Sequence, residues 1–254
     1  MLIVVGGVLL VVVVLAGGAI ASAFLGRKAV VDGGDIGGTR IVQDGIVSVA
    51  VVPVGAGKVM LVDAGNDGEG AAILNELKRR GLGPDAVVAI ALTHGHNDHI
   101  AAVRKFPGAQ VMALDREVAL VEGRERAKGP LLRLMPVRPT GITVARPVHD
   151  EEVVTVGDVR VQVFAVPGHT AGSAAYLING VLFVGDSADQ NSDGSLRGAP
   201  WIFSDSQADN RASLARLNER LKANGFAVDA VVPAHSAAMT DGLARLDAYA
   251  ASKN

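Results

Sequence analysis

The heptapeptide Thr93-His94-Gly95-His96-Asn97-Asp98-His99 constrains this chain more than any other stretch. It gathers three of the six histidines and an aspartate. A chain of this composition would produce H-x-H-x-D-H by chance roughly twice in ten thousand cases, so the pattern is a motif. The continuous apolar run of residues 86–92 precedes it and reads as a buried strand. The motif therefore stands at a strand's C-terminal end, where α/β folds carry their functional loops. In an extended segment His94 and His96 point the same way and suit one metal ion. Asp98 and His99, around the next turn, face a second. Imidazole and carboxylate suit zinc, and also iron or manganese. The chain has no cysteine, which excludes thiolate sites, iron–sulfur ligation and a disulfide scaffold.

Around the motif, residues 46–52 and 58–62 read as strands joined through a Gly55-Ala56-Gly57 turn. Ala71, Ile73, Leu74, Leu77 and Leu82 have helical spacing, with an end near Gly81. Val159, Val161 and Val163 alternate with polar residues, and Asn179-Gly180 joins residues 174–178 to 181–184 as a hairpin. Ser204 with Gln207 resembles a capping box opening a helix that ends near Asn224. Residues 228–232 then read as a strand and 241–250 as a last helix. Two β-rich halves, each with helices, predict an α/β, four-layer αββα sandwich.

Further ligand candidates stand after apolar runs: Pro167-Gly168-His169-Thr170, Phe183-Val184-Gly185-Asp186 and Val232-Pro233-Ala234-His235. With the first motif, this order resembles the metallo-β-lactamase-fold hydrolase superfamily over residues 40–250. The resemblance implies that His94, His96 and His169 bind one metal and Asp98, His99 and His235 another. Asp186 would bridge them, and Asp63 in Leu61-Val62-Asp63-Ala64-Gly65 would steady the ligands from behind. His149 falls in no motif and reads as a surface histidine.

The resemblance implies a dinuclear metal-dependent hydrolase, with two divalent ions, zinc before iron or manganese. A metal-bridging hydroxide would attack a small ester, thioester or lactone, with Asp98 orienting it. A carboxylate at 186 is similar to glyoxalase II and lactonases, whereas true β-lactamases of this fold generally carry cysteine or serine there. Ser187, Ala188 and Asp189 follow it, where quorum-sensing lactonases usually place a tyrosine. Two other readings are a mononuclear iron thiol or persulfide dioxygenase of the same fold, and a non-catalytic metal-binding domain.

Residues 2–25 carry no charge. As a helix they would rise about 36 Å, enough to cross a bilayer core. The expected organisation is an N-terminal transmembrane anchor (1–26), a Gly- and Asp-rich linker (27–39) and a metallo-β-lactamase-like domain (40–254). Ala21-Ser22-Ala23 also fits an export cleavage site. Arg27, Lys28 and Arg40 lie after the apolar run, so a single-pass membrane protein with a cytoplasmic catalytic domain is the orientation expected. The formal net charge of −2 gives no basic footprint for nucleic acid, and the expected partner is a small-molecule substrate.

Two segments are placed to shape a pocket. Residues 121–147 hold Arg124, Arg126, Lys128, Arg133, Arg138 and Arg146 among prolines and glycines, and read as a lid or insertion for binding an anionic substrate or facing anionic lipid, or as a solvated loop. Trp201, soon after Asp186, reads as a core plug or a substrate wall.

Overall fold

Valine-rich strands build two stacked sheets. The computed structural model describes residues 17–18, 21–22 and 24–252. Within them β1 (Asp35–Ile36), β2 (Thr39–Asp44), β3 (Val47–Pro53), β4 (Val59–Val62), β5 (Val87–Ala91), β6 (Gln110–Leu114) and β7 (Arg146–Val148) form a seven-stranded sheet in sequence order. The other half supplies β8 (Val153–Val156), β9 (Val159–Ala165), β10 (Ala174–Ile178), β11 (Val181–Gly185), the small pair β12 (Ala188–Gln190) and β13 (Leu196–Gly198), then β14 (Ala230–Pro233) and β15 (Met239–Thr240). Its six-stranded sheet runs β15-β14-β11-β10-β9-β8.

Both faces of each sheet are covered, so the central strands are apolar throughout rather than half polar. In β3, Ala50 and Val52 join the core between the sheets with Met60, Met112, Val163, Tyr176 and Phe183. Val49 and Val51 point the other way, onto Ile73 and Leu77 of α1 (Ala71–Arg79). Two one-turn helices, α2 (Asn97–Ile100) and α3 (Val118–Val121), lie in the same outer layer through Ile100 and Val121. Beyond the second sheet, Leu182 and Val184 meet Leu214, Leu217 and Leu221 of α4 (Gln207–Ala223) and Leu246 and Tyr249 of α5 (Gly242–Ala251). Helix, sheet, sheet, helix is the sandwich read from the sequence.

Asn179 and Gly180 both have positive φ, 49° and 79°. That is what a two-residue hairpin between Ile178 and Val181 requires. The start of α4 differs from expectation. Ser206 is its N-cap, accepting the Asp209 N–H at 3.1 Å. The Ser204 hydroxyl instead donates to the Pro200 carbonyl at 2.7 Å and meets a histidine of the site.

The expected transmembrane helix is corrected. No helix of the described residues is long and apolar enough to cross a membrane; residues 1–16, 19, 20 and 23 of that stretch lie outside the described residues. Membrane anchorage, the membrane partner and the single-pass localisation with its cytoplasmic orientation rested on that helix and go with it. The physical reason lies in the charges taken as its flank. Arg27 pairs with Asp189 at 2.6 Å, both side chains buried, and Arg40 Nε lies 3.8 Å from Glu76. The backbone joins in: Lys28 N–H donates to the Gln190 carbonyl at 2.9 Å and Ser192 N–H to the Gly26 carbonyl at 2.7 Å. Within the stretch expected as a linker, β1 pairs with β2.

Candidate metal centre

Four loops at one end of the sandwich carry the candidate ligands. The loop after β5 and the first turn of α2 hold His94, His96, Asp98 and His99. His169 follows β9, Asp186 follows β11 and His235 follows β14. The structure brings all seven side chains together, in three overlapping groups: His94, His96 and His169; His94, His99 and Asp186; Asp98, His99 and His235.

In the first group, His169 Nε2 lies 3.1 Å from His94 Nε2 and 2.9 Å from His96 Nδ1. In the third, His235 Nε2 lies 3.2 Å from Asp98 Oδ2, and His99 Nε2 lies 3.8 Å from the same oxygen. Asp186 faces both. Its Oδ1 is 3.2 Å from His99 Nε2, and its Oδ2 is 3.2 Å from His235 Nε2 and 3.5 Å from His169 Nε2.

The opposite ring nitrogens have protein partners, which turns each Nε2 inward. His99 Nδ1 meets Asp63 Oδ2 at 2.8 Å, and His169 Nδ1 meets the Ser204 hydroxyl at 3.0 Å. His235 Nδ1 meets the Ile46 carbonyl at 3.0 Å, and His94 Nδ1 meets the Thr93 hydroxyl at 3.2 Å. Asp63 therefore stands behind the cluster. Glu117, buried after β6, accepts the Gly95 N–H at 2.8 Å and the Gly172 N–H at 2.9 Å. It ties the His94–His96 loop to the loop of His169. No local sequence pattern marks Thr93, Ser204, the Ile46 carbonyl or Glu117 as partners of the site's histidines and loops.

Charge and donor chemistry fit divalent cations. Burial drives His94 and His169 well below the usual imidazole range and His96 to about 4, so these rings are neutral and offer lone pairs. Burial opposes charge on His99 and His235 as well, but Asp186 and its neighbouring carboxylates outweigh it. They raise His99 well above its ordinary value and His235 to about 10. Three carboxylates thus draw positive charge into the centre. His96 Nε2, His99 Nε2 and Asp186 Oδ1 are buried and make no well-aligned hydrogen bond among the described residues. Zinc–nitrogen bonds of about 2.0–2.1 Å in tetrahedral array separate ligand nitrogens by about 3.3 Å, close to the spacing of the three neutral rings.

A cavity of about 560 Å³ opens onto the cluster past His96, Asp98, Asp186 and His235. The segment 121–147 forms much of its wall, through Leu132 and the exposed Met135, Val137, Arg126 and Arg138. Lys128 N–H donates to Asp205 Oδ1 at 2.6 Å and Leu131 N–H to the Ile202 carbonyl at 3.1 Å, so this segment is pinned to the loop before α4. Pro200 and Phe203 line the cavity. Trp201 is 47% exposed and does not, so it is neither core plug nor cavity wall. His149 is exposed, 3.4 Å from Asp115.

The family model described as the metallo-beta-lactamase superfamily matches residues 42–235. The chain is 24% identical over 209 residues to metallo-beta-lactamase domain-containing protein 1 of Xenopus laevis, covering 79% of this chain and 74% of that protein. It is 31% identical over 131 residues to a hydroxyacylglutathione hydrolase of Serratia proteamaculans, covering 52% of this chain and 43% of the relative, less than half its length. A solved subclass B3 metallo-beta-lactamase of Bradyrhizobium japonicum superposes with a TM-score of 0.63 at 21% identity, covering 91% of this chain and 93% of the other. At that identity the likeness is one of fold.

Proposed function

The chain belongs to the metallo-beta-lactamase superfamily, and from that premise we propose that it is a dinuclear metal-dependent hydrolase of a small ester, thioester or lactone. The carboxylate of Asp186, within 3.5 Å of imidazoles from both ligand groups, carries the reading. His94, His96 and His169 would hold one ion, Asp98, His99 and His235 the other, and Asp186 both. The all-imidazole and carboxylate donor set suits zinc first, with iron or manganese as alternatives. When bound, such a pair supplies hydroxide at neutral pH and a Lewis acid for the electrophile's oxygen.

The chain's own residues position that chemistry. Asp63, Ser204, Thr93 and the Ile46 carbonyl fix the imidazole tautomers, so every Nε2 they control faces inward. Asp98, on the cavity side and 27% exposed, orients the attacking water and accepts its proton. Leu120, Leu132 and Val137 give the cavity an apolar wall. We take residues 40–254 as the metallo-β-lactamase-like domain, with residues 24–39 packed against it. The hydrolase named among the relatives supports hydrolysis as the reaction class. The assembled Asp98, His99 and His235 group has no task in a single-iron dioxygenase and favours the two-ion reading.

Elemental mass spectrometry on the chain purified without added metal tests this. Close to two zinc or mixed ions per chain, followed by turnover in an ester, thioester and lactone screen, is expected. A single iron with oxygen consumption would replace the reading by the dioxygenase. No metal after reconstitution would overturn it.

A further inference from the structure

Arg27 and Asp189 form a buried ion pair: Arg27 Nη2 lies 2.6 Å from Asp189 Oδ2, with side chains 5% and 1% exposed. Arg27 Nε and Nη1 are closed to solvent too and make no well-aligned hydrogen bond among the described residues. A pair buried at that cost adds little net stability over an apolar contact of the same shape. What it supplies is a fixed geometry, and here the geometry leads to His235.

Two routes run from the guanidinium to that imidazole. Asp189 Oδ1 accepts the Ser236 hydroxyl at 3.0 Å, and the Ser236 oxygen accepts the Gln190 N–H at 2.7 Å. Ser236 directly follows His235 in the chain. On its other side the guanidinium lies over the Phe24 ring at 4.6 Å, and that ring makes a T-shaped contact with the His235 ring, 6.3 Å between centroids. The backbone takes the same course. Lys28 N–H donates to the Gln190 carbonyl at 2.9 Å, the Lys28 carbonyl accepts the Ala237 N–H at 3.3 Å, and Arg27 bridges to Asn191. Residues 24–28 thus lie across the chain that follows Asp186 and across the loop of His235. None of these contacts involves His94, His96 or His169, whose loops are held by Thr93, Glu117 and Ser204 instead.

We propose that Arg27 is a positioning residue for His235: through Asp189 and Ser236 it fixes the loop that presents this imidazole to the second ion. The ion in this statement rests on the two-ion reading above; the hold on the loop does not.

The test measures the affinity of each zinc ion, by competition with a chromophoric chelator, in the full-length wild type and in Arg27→Met, Ser236→Ala and His235→Ala. His235→Ala identifies the ion that this ligand holds. Arg27→Met is expected to weaken that same ion about 10- to 100-fold, the range for groups that orient a ligand, and to leave the other within about twofold. Ser236→Ala keeps the ion pair whole, so it carries the test should Arg27→Met fail to fold; it should weaken the same ion about tenfold. The two substitutions together should cost little more than Arg27→Met alone, because both interrupt one path. Added to His235→Ala, Arg27→Met should leave the remaining ion unchanged. Equal weakening of both ions, or weakening of neither, would overturn the proposal and leave Arg27 as a packing contact of the N-terminal segment. Where wild type holds fewer than two ions, the two-ion reading fails, and amide hydrogen exchange in the metal-free chain decides on Arg27. The Gln190 and Ala237 N–H groups should then exchange about fivefold faster or more in Arg27→Met and in Ser236→Ala, and unchanged rates would overturn the proposal.

Discussion

Asp63 Oδ2 lies 2.8 Å from His99 Nδ1, while its Oδ1 accepts the Thr93 N–H at 2.7 Å. One buried carboxylate thereby sets the tautomer of a candidate ligand and anchors the strand end that carries His94. Asp63 also holds a left-handed backbone, φ 62°, which Asp and Asn tolerate better than other side chains. Asp63→Asn is expected to lower metal affinity about 10- to 100-fold, and Asp63→Ala to lower it further through backbone strain. Competition with a chromophoric chelator measures both; affinities equal to wild type would remove Asp63 from this role.

Glu117 makes the metal-free chain's stability pH-dependent. Burial, chiefly, with some repulsion from Asp205, pushes its carboxyl from 4.5 to about 7. Between those values the folded chain holds a proton that the unfolded chain has released. The folded state is thus favoured most below about 4.5, and the advantage falls as pH rises to about 7. At 1.36 kcal/mol per pKa unit the loss approaches roughly 3 kcal/mol. Glu117→Gln has no such titration, so its stability relative to wild type should rise by about that amount across the window. Urea midpoints at several pH values give the difference; a difference flat with pH would count against the assignment.

The site was legible where its chemistry is local. Three histidines and Asp98 fall within one heptapeptide, and His169, Asp186 and His235 each end an apolar run, so strand ends and candidate ligands could be read together. What fixes those ligands was not legible. Ser204 lies 35 residues from His169, and the Ile46 carbonyl 189 residues from His235. No local pattern marks a hydroxyl or a backbone carbonyl that acts only through tertiary contact. The sandwich followed from two β-rich halves built largely of continuous apolar runs, since each face of each sheet is buried against a different layer. The N-terminal reading failed at Arg27 because hydropathy counts a charge and says nothing of its partner. Asp189, which neutralises it, stands 162 residues further on (189 − 27).

Asp98→Ala separates orientation from metal capture. The side chain reaches His235 Nε2 at 3.2 Å and also faces the cavity. Loss of a positioned acid–base group costs about 10²- to 10⁴-fold in kcat. The expected variant has that loss together with weaker retention of one ion of the pair, read as metal content after dialysis. Full activity would remove Asp98 from the mechanism.

Trp201 offers a contrast between the two neighbours in one loop. It is 47% exposed, whereas Phe203 lines the cavity and packs on Phe24 at 6.0 Å. Trp201→Ala is expected to change stability by less than about 1 kcal/mol, and Trp201 fluorescence to respond little to bound product. Strong quenching by product would place the indole in the binding site after all.

Gly168, next to His169, has φ of 135°, a conformation nearly confined to glycine. A Cβ there would stand 2.1 Å from Asn210 N and 2.4 Å from Asn210 Cα, backbone atoms near the start of α4. Those atoms cannot yield, because the Gly168 carbonyl accepts the Ser206 N–H at 2.8 Å and Asn210 Nδ2 donates to the Ser187 carbonyl at 2.9 Å. Gly168→Ala must therefore move the loop that carries His169, the imidazole in contact with both His94 and His96. A loss of about 3 kcal/mol or more in urea unfolding is expected from strain and overpacking together, accompanied by loss of metal from the three-histidine group. An unchanged midpoint with full metal content would show that the loop and α4 separate without cost to the centre.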